Sequence, residues 1–230
     1  MAAKNWVCDP DGFLQPKVGT SGPESLPPST VFAVFKDTVA KHGDKSALKF
    51  KEVGPGAEAA DVEFSIWTWS QYYAEVIKFA QALVALNFPP HACLNIIGFN
   101  CKEWFVAQFG AMAAGGIPAG IYPTNGPDAC KYISEHSKAE VVVLEDNKQL
   151  DKYLQIGPRK LPKLKALVVY NEEPLEGAGD RLGIPVYGWS QFIDLGKGVP
   201  AETVEERIQA QLPGHCNSLI YTSGTTGPPK

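Results

Sequence analysis

Ser223, Thr225, Thr226 and Lys230 stand close together at the end of the sequence, in the stretch L-I-Y-T-S-G-T-T-G-P-P-K from Leu219 to Lys230. An apolar run feeds a loop of hydroxyl residues and glycines, and the loop ends on one lysine. Gly224 and Gly227 let the backbone curl with positive φ and approach a ligand closely. Successive N–H groups in such a curl form a concave nest for anionic oxygens. The hydroxyls of Ser223, Thr225 and Thr226 add donors, and the Lys230 ammonium adds a compact point charge suited to a phosphate. This chemistry is that of a loop holding the phosphates of ATP.

The spacing excludes two common phosphate loops. Walker A requires G-x-x-x-x-G-K-[ST], but the fifth residue after Gly224 is Pro229, and no hydroxyl residue follows Lys230. The dinucleotide fingerprint G-x-G-x-x-G is also absent. A Gly-x-x-Gly by itself reads as a turn that binds nothing, so the elements that present the loop matter.

Those elements alternate along the chain. Residues 1–28 carry Gly and Pro at short intervals with no apolar period and read as an extended arm, leaving 29–230 as the globular part. Ser29 or Thr30 can cap a helix with Val31, Val34, Phe35, Thr38 and Val39 on one face, ending at His42-Gly43. Ser46–Lys51 and Phe64–Trp69 read as strands joined by a Gly/Ala/Pro loop, with Trp67 and Trp69 on one side as packing residues. Ser70–Asn87 has the spacing of an amphipathic helix, with Tyr72, Tyr73, Val76, Ala80, Leu83 and Val84 on its apolar face.

Ala92–Phe99 is almost wholly apolar, as expected of a strand buried on both faces. Asn100 and Glu103 have capping-box spacing at the start of a helix through Ala114, apolar nearly all round and therefore buried. Strands at Ile117–Tyr122, Val141–Glu145, Ala166–Tyr170 and Val186–Tyr187 alternate with helices at Pro127–Ser137, Asn147–Ile156 and Ser190–Leu195. Residues 171–184 read as a surface loop with solvated carboxylates. Ala201–Leu212 reads as a polar helix whose Glu205, Glu206 and Arg207 face water, and Asn217–Thr222 as the last strand. The pattern predicts an α/β fold, a mostly parallel sheet with helices on both faces. Ligands in such sheets sit beyond the carboxyl ends of the strands, where Ser223–Lys230 falls.

Composition narrows the function. The 230 residues are 44% hydrophobic and 20% charged, ordinary for a globular protein. A net charge of −4 gives no basic patch for nucleic acid. Cys8, Cys93, Cys101, Cys130 and Cys216 are scattered, without a C-x-x-C pair, and read as reduced thiols of a cytoplasmic protein. The histidines lack zinc-ligand spacing. No signal sequence and no apolar run of about 18 residues is present, which leaves peripheral membrane contact, as at the endoplasmic reticulum, open.

An apolar strand followed by T-S-G-T-T-G, any residue, then Pro-Lys resembles the signature loop of the adenylate-forming (AMP-binding) superfamily at every position. The resemblance extends upstream through Phe64–Tyr73 (F-S-I-W-T-W-S-Q-Y-Y), Gly98–Ala107 (G-F-N-C-K-E-W-F-V-A) and Ala114–Tyr132 (A-G-G-I-P-A-G-I-Y-P-T-N-G-P-D-A-C-K-Y). With E-D-N-K-Q-L-D-K-Y-L and L-P-K-L-K-A-L-V-V-Y it is most similar to the bubblegum-type long-chain fatty acyl-CoA synthetases. Trp6–Pro16 is a weaker echo of that group's amino-terminal region.

The resemblance implies the amino-terminal part of that family's large domain. It implies ATP and Mg²⁺ as cofactors, coenzyme A and a fatty acid as co-substrates, and formation of an acyl-adenylate followed by an acyl-CoA. Thr222, Ser223, Gly224, Thr225, Thr226, Gly227 and Lys230 match the family loop and would hold the β- and γ-phosphates. Thr222 would also help place Mg²⁺. Pro228 and Pro229, within the same ATP-binding loop, have no N–H and would stiffen its exit.

In that family the adenine-binding segment, the magnesium glutamate, the hinge and the catalytic lysine follow this loop. No catalytic residue is therefore expected within residues 1–230, which should be inactive alone. The alternatives are a ligase for another carboxylic acid, a truncated binding module, and an α/β domain whose terminal loop binds nothing. Replacing Lys230 by Ala should weaken ATP binding in the complete enzyme. An unchanged ATP affinity on titration would remove that role.

Overall fold

In a computed structural model, the structure describes residues 6–52, 62–157 and 159–222. Its centre is β3 (Cys93–Ile97), in which every residue is buried. β4 (Ile117–Ile121) and β5 (Ala139–Leu144) flank it in parallel register, with Leu94 opposite Pro118 on one side and Val141 on the other. β6 (Ala166–Val169), β7 (Val186–Gly188) and β8 (Leu219–Ile220) extend the sheet to six parallel strands in the order β7-β6-β5-β3-β4-β8. β1 (Ser46–Phe50) and β2 (Ser65–Thr68) form a separate antiparallel pair. The connection between those two strands falls mostly in 53–61, outside the described residues.

The sheet's alternation divides the core in two. Leu94, Ile96, Val141, Val143 and Val168 face one side. There they meet α1 (Val31–His42), α2 (Trp69–Ala85), α3 (Lys102–Ala113), α7 (Trp189–Leu195) and α8 (Ala201–Gln209). Cys93, Ile97, Val142, Leu144 and Val169 face the other side, towards α4 (Pro127–His136), α5 (Asn147–Ile156) and α6 (Ala178–Leu182). From β3 the chain steps one way to β4 through α3, then back across to β5, β6 and β7 through α4, α5 and α6. Right-handed crossovers place helices of opposite steps on opposite faces, which is the distribution observed.

The local chemistry mostly follows expectation. Thr30 Oγ1 caps α1 by accepting from Ala33 N at 3.1 Å, and Gly43 ends the helix. At α2 the Thr68 hydroxyl accepts from Gln71 N while Gln71 Oε1 accepts from Thr68 N, a full capping box. Trp69 is therefore the first residue of α2 and not the end of β2. Trp67 does pack, edge-on to Phe50 with ring centres 5.2 Å apart.

Four expectations are corrected. In α1 the buried residues are Phe32 and Phe35, while Val34 is 58% exposed and Val31 also faces out. The two phenyl rings enter an aromatic cluster with Tyr72, Tyr73 and Phe109, which rewards burial more than two valines would. α3 is capped by Cys101, whose Sγ accepts from Trp104 N at 3.3 Å, and not by Asn100. Residues 171–184 contain α6, bracketed by Gly177 and Gly183 at φ 69° and 68°. There Ala178 and Leu182, one turn apart, are buried.

Arg207 is the fourth correction. α8 ends at Gln209, and Arg207 does not face water. Its Nη1 donates to the Phe88 carbonyl at 2.6 Å and to the Ala114 carbonyl at 3.0 Å. These carbonyls close α2's exit and α3's exit, so one guanidinium ties both turns beneath β3 and β4. Glu205 meets Lys36 of α1 at 2.6 Å. Arg207→Met would keep the stem packing but remove the donor from both carbonyls. We expect a loss of about 1–3 kcal/mol in urea unfolding, and a value within error of wild type would show that water replaces the guanidinium.

Candidate functional site

The candidate site begins where β8 leaves the sheet. β8 pairs with β4 at two positions, Ala119 with Leu219 and Gly120 with Ile220, and is followed by Tyr221 and Thr222. Of the predicted phosphate-loop residues the structure describes Thr222, placed at the carboxyl edge of the sheet. Ser223, Gly224, Thr225, Thr226, Gly227, Pro228, Pro229 and Lys230 lie outside the described residues.

Beside Thr222 a groove of about 730 Å³ opens beyond the carboxyl ends of β3, β4 and β8. Phe99, Trp104, Gly120, Tyr122 and Ile220 line it. Ile220 is 81% exposed, Phe99 67% and Tyr122 64%. Gly120 forms part of the floor, and a Cβ there would stand 3.4 Å from the Trp104 ring. An apolar trough at the strand ends is the arrangement of a ligand cleft in a parallel α/β sheet.

A second hollow, about 720 Å³, lies between β1 and the start of α3. Lys102 dominates it. Its ammonium lies 4.7 Å from the centre of the Phe50 ring and 5.6 Å from that of Trp67, and pairs with Glu52 and Glu103. Burial pulls the Lys102 pKa down, but the hydrogen bonds and charges of Glu52 and Glu103 outweigh it, and the net shift is upward. This lysine is held by its own carboxylates.

On the opposite face of β8, Tyr221 turns inward. The Tyr221 hydroxyl lies 2.8 Å from His136 Nδ1 at the end of α4, and the two rings meet edge-on. His136 also stacks on Tyr132, with ring planes 18° apart. Behind them Asn95, wholly buried in β3, donates from Nδ2 to Ser137 Oγ at 3.2 Å. Burial raises the Tyr221 phenol to about 12, with the Ser137 hydroxyl working against the rise. Burial likewise pushes the Cys93 thiol up to about 12. Sequence reasoning missed His136 and Tyr221 as a pair. They are 85 residues apart, and no local pattern joins them.

The AMP-binding enzyme family profile matches residues 35–230. The chain belongs to the AMP-binding enzyme family. It is 37% identical over 227 residues to the long-chain-fatty-acid–CoA ligase ACSBG2 of Xenopus laevis, covering 99% of this chain and 29% of that protein. It is 38% identical to ACSBG2 of Gallus gallus, covering 100% of this chain and 28% of that protein. For the long-chain-fatty-acid–CoA ligase ACSBG1 of Homo sapiens the identity is 36%, with 98% and 29% covered. The chain thus spans less than a third of the length of these relatives.

Two solved structures share the fold. The anthranilate CoA ligase AuaEII, in complex with anthranoyl-AMP, aligns with a TM-score of 0.64 at 24% identity, covering 91% of this chain and 35% of that one. The adenylation domain of a carboxylate reductase from Mycobacterium chelonae aligns with a TM-score of 0.72 at 18% identity, covering 89% and 34%. The predicted α/β fold, a mostly parallel sheet with helices on both faces, is therefore that of the adenylate-forming enzymes. Among the described residues no helix is long and apolar enough to cross a membrane.

The packing behind β8 has a chemical test. Cys8 is exposed, whereas Cys93 and Cys130 are buried and burial raises the pKa of both thiols. A thiol held protonated and covered reacts slowly. Iodoacetamide at pH 8 should label Cys8 in minutes and spare Cys93 and Cys130 until denaturant is added, as read by peptide mass mapping. Rapid labelling of Cys93 in the native protein would contradict this packing.

Proposed function

We propose that this chain supplies the phosphate-holding half of the nucleotide site in a long-chain fatty acid–CoA ligase. One observation carries the reading: T-S-G-T-T-G-P-P-K directly follows a strand at the carboxyl edge of a parallel sheet. Likeness to ligases of that name along the whole chain supports it. In this reading residues 1–28 are an arm and 29–230 the amino-terminal portion of the large domain. The chain Leu14 N–H donates to Gly214 O, which holds the arm against the segment leading into β8.

The fatty acid carboxylate attacks the α-phosphorus of ATP, and the bond to the bridging oxygen breaks to release pyrophosphate. Coenzyme A then attacks the acyl carbonyl as thiolate, and AMP leaves. Both steps move charge onto phosphate oxygens, so the protein's task is to hold and neutralise them. The backbone N–H groups of Ser223–Gly227 and the hydroxyls of Ser223, Thr225 and Thr226 would cradle the β- and γ-phosphates, and Lys230 would supply a full positive charge. Pro228 and Pro229 would stiffen the loop.

Mg²⁺ suits a site of this composition when the phosphates provide most of its ligands. Among the described residues no cluster of His, Cys, Asp and Glu would hold a metal. The Thr222 hydroxyl would contribute one oxygen, in keeping with the few protein ligands Mg²⁺ takes beside a nucleotide. The apolar groove beside Thr222 supports an acyl or other apolar group nearby. Five free cysteines and a substrate that partitions into lipid support a cytoplasmic location with contact at the endoplasmic reticulum surface.

A second reading, a binding module without turnover, is favoured by the exposure of Phe99, Tyr122 and Ile220, which offers a surface to further polypeptide. A ligase acting on another carboxylic acid differs only in the acyl pocket. A coupled pyrophosphate-release assay with palmitate, ATP and Mg²⁺ separates these. Turnover is expected from the complete ligase polypeptide and none from residues 1–230 alone. Release by residues 1–230 would overturn the division of the site, and a complete polypeptide indifferent to palmitate would overturn the substrate class.

A further inference from the structure

The strand that carries the phosphate loop is weakly built. Among the described residues β8 has two paired residues and one neighbouring strand, β4. A ladder this short gives the departing chain little hold, and Ile220, on the face away from Tyr221, is open to solvent. A neighbouring residue adds to the hold on the point at which Thr222 leaves the sheet.

Tyr221 does so through its side chain. Its ring is 8% exposed and packs in the cluster containing Cys93, Ala119, Cys130 and Ile133. Its hydroxyl reaches His136 Nδ1 at 2.8 Å. That histidine is the last residue of a ten-residue helix and is itself braced by Tyr132. The phenol donates to Nδ1 where that nitrogen carries no hydrogen and accepts from it where it does, so the link forms with either tautomer. A covered ring and one directed hydrogen bond thus anchor the residue adjoining Thr222 to α4, across the sheet from the apolar groove.

We propose that Tyr221 and His136 are positioning residues for the phosphate loop, acting through their mutual hydrogen bond to hold the Thr222 end of the loop in register with β4. The inference rests on the ATP-binding reading given above. A loop whose N–H groups must converge on phosphate oxygens loses affinity when its root shifts, because misaligned donors contribute little. The pair touches no phosphate itself. Its effect falls on ligands that need the loop, and not on the nucleoside part.

The test uses the full natural polypeptide carrying these residues, with calorimetric titration of ATP plus Mg²⁺ and, in parallel, of AMP. Tyr221→Phe keeps the ring and removes only the hydroxyl; His136→Ala removes the partner from an exposed helix end. Each should raise the Kd for ATP about three- to tenfold, the worth of one intramolecular hydrogen bond, with the Kd for AMP unchanged. The double variant should be no worse than Tyr221→Phe alone, since the phenylalanine already removes the bond to His136. In steady state the KM for ATP should rise by the same factor with kcat and the fatty acid KM retained.

Unchanged ATP affinity in both single variants would overturn the proposal. So would equal losses for ATP and AMP, which would mark a general structural role, or additive losses in the double variant. Failure of the unmodified polypeptide to bind ATP would instead overturn the ATP-binding reading, and this inference with it.

Discussion

The burial of β3 on both faces is the constraint on which the structure depends. A strand covered above and below has no water for its N–H and C=O groups, so each must find a neighbouring strand. β4 and β5 supply them along its whole length. Parallel neighbours cannot be joined by a tight turn, so every link must be a crossover long enough to hold a helix. The helices cover the faces, and the strand ends are left as the places where loops converge. The groove and Thr222, the root of the proposed phosphate loop, lie at one such end because the sheet's own hydrogen bonding requires the crossovers.

Several polar groups that enter this interior answer another polar group. Arg207 takes two carbonyls at helix exits, and Asn95 is tied to Ser137 in the middle of an apolar face. Ser134 and Tyr153 join α4 to α5 by a 2.8 Å hydroxyl pair. Asn147, at the start of α5, donates to the Glu172 carboxylate and the Glu173 carbonyl and accepts from Leu175 N, so a carboxylate that reads as solvated charge helps to seat a helix. Each of these links joins elements that the apolar core alone would leave free to slide.

The elements legible in the sequence were those with a strong period or an uninterrupted apolar run. α2 shows its i, i+3, i+4 face, α5 spans the expected Asn147–Ile156, and β3 is a short stretch of almost wholly apolar character. The readings that failed turned on competition between alternatives equal in local terms. Val31 and Val34 are as apolar as their neighbours, but only Phe32 and Phe35 reach the aromatic cluster on α2 and α3. Asn100 and Cys101 can each cap a helix, and the fall of the chain out of β3 selects the cysteine. Five residues between two glycines carry too little pattern to announce α6.

The sequence by itself determined the α/β class and the family resemblance, and it alone carries the phosphate-binding proposal for Ser223–Lys230, because residue type, spacing and the periods of strand and helix are local properties. The tertiary structure alone decided that Arg207 turns inward, that Phe99, Tyr122 and Ile220 line one groove, and that Tyr221 meets His136. These pairings join residues far apart in the chain. They come into being only when the crossovers bring strand ends and helix ends together, and no local period records that meeting.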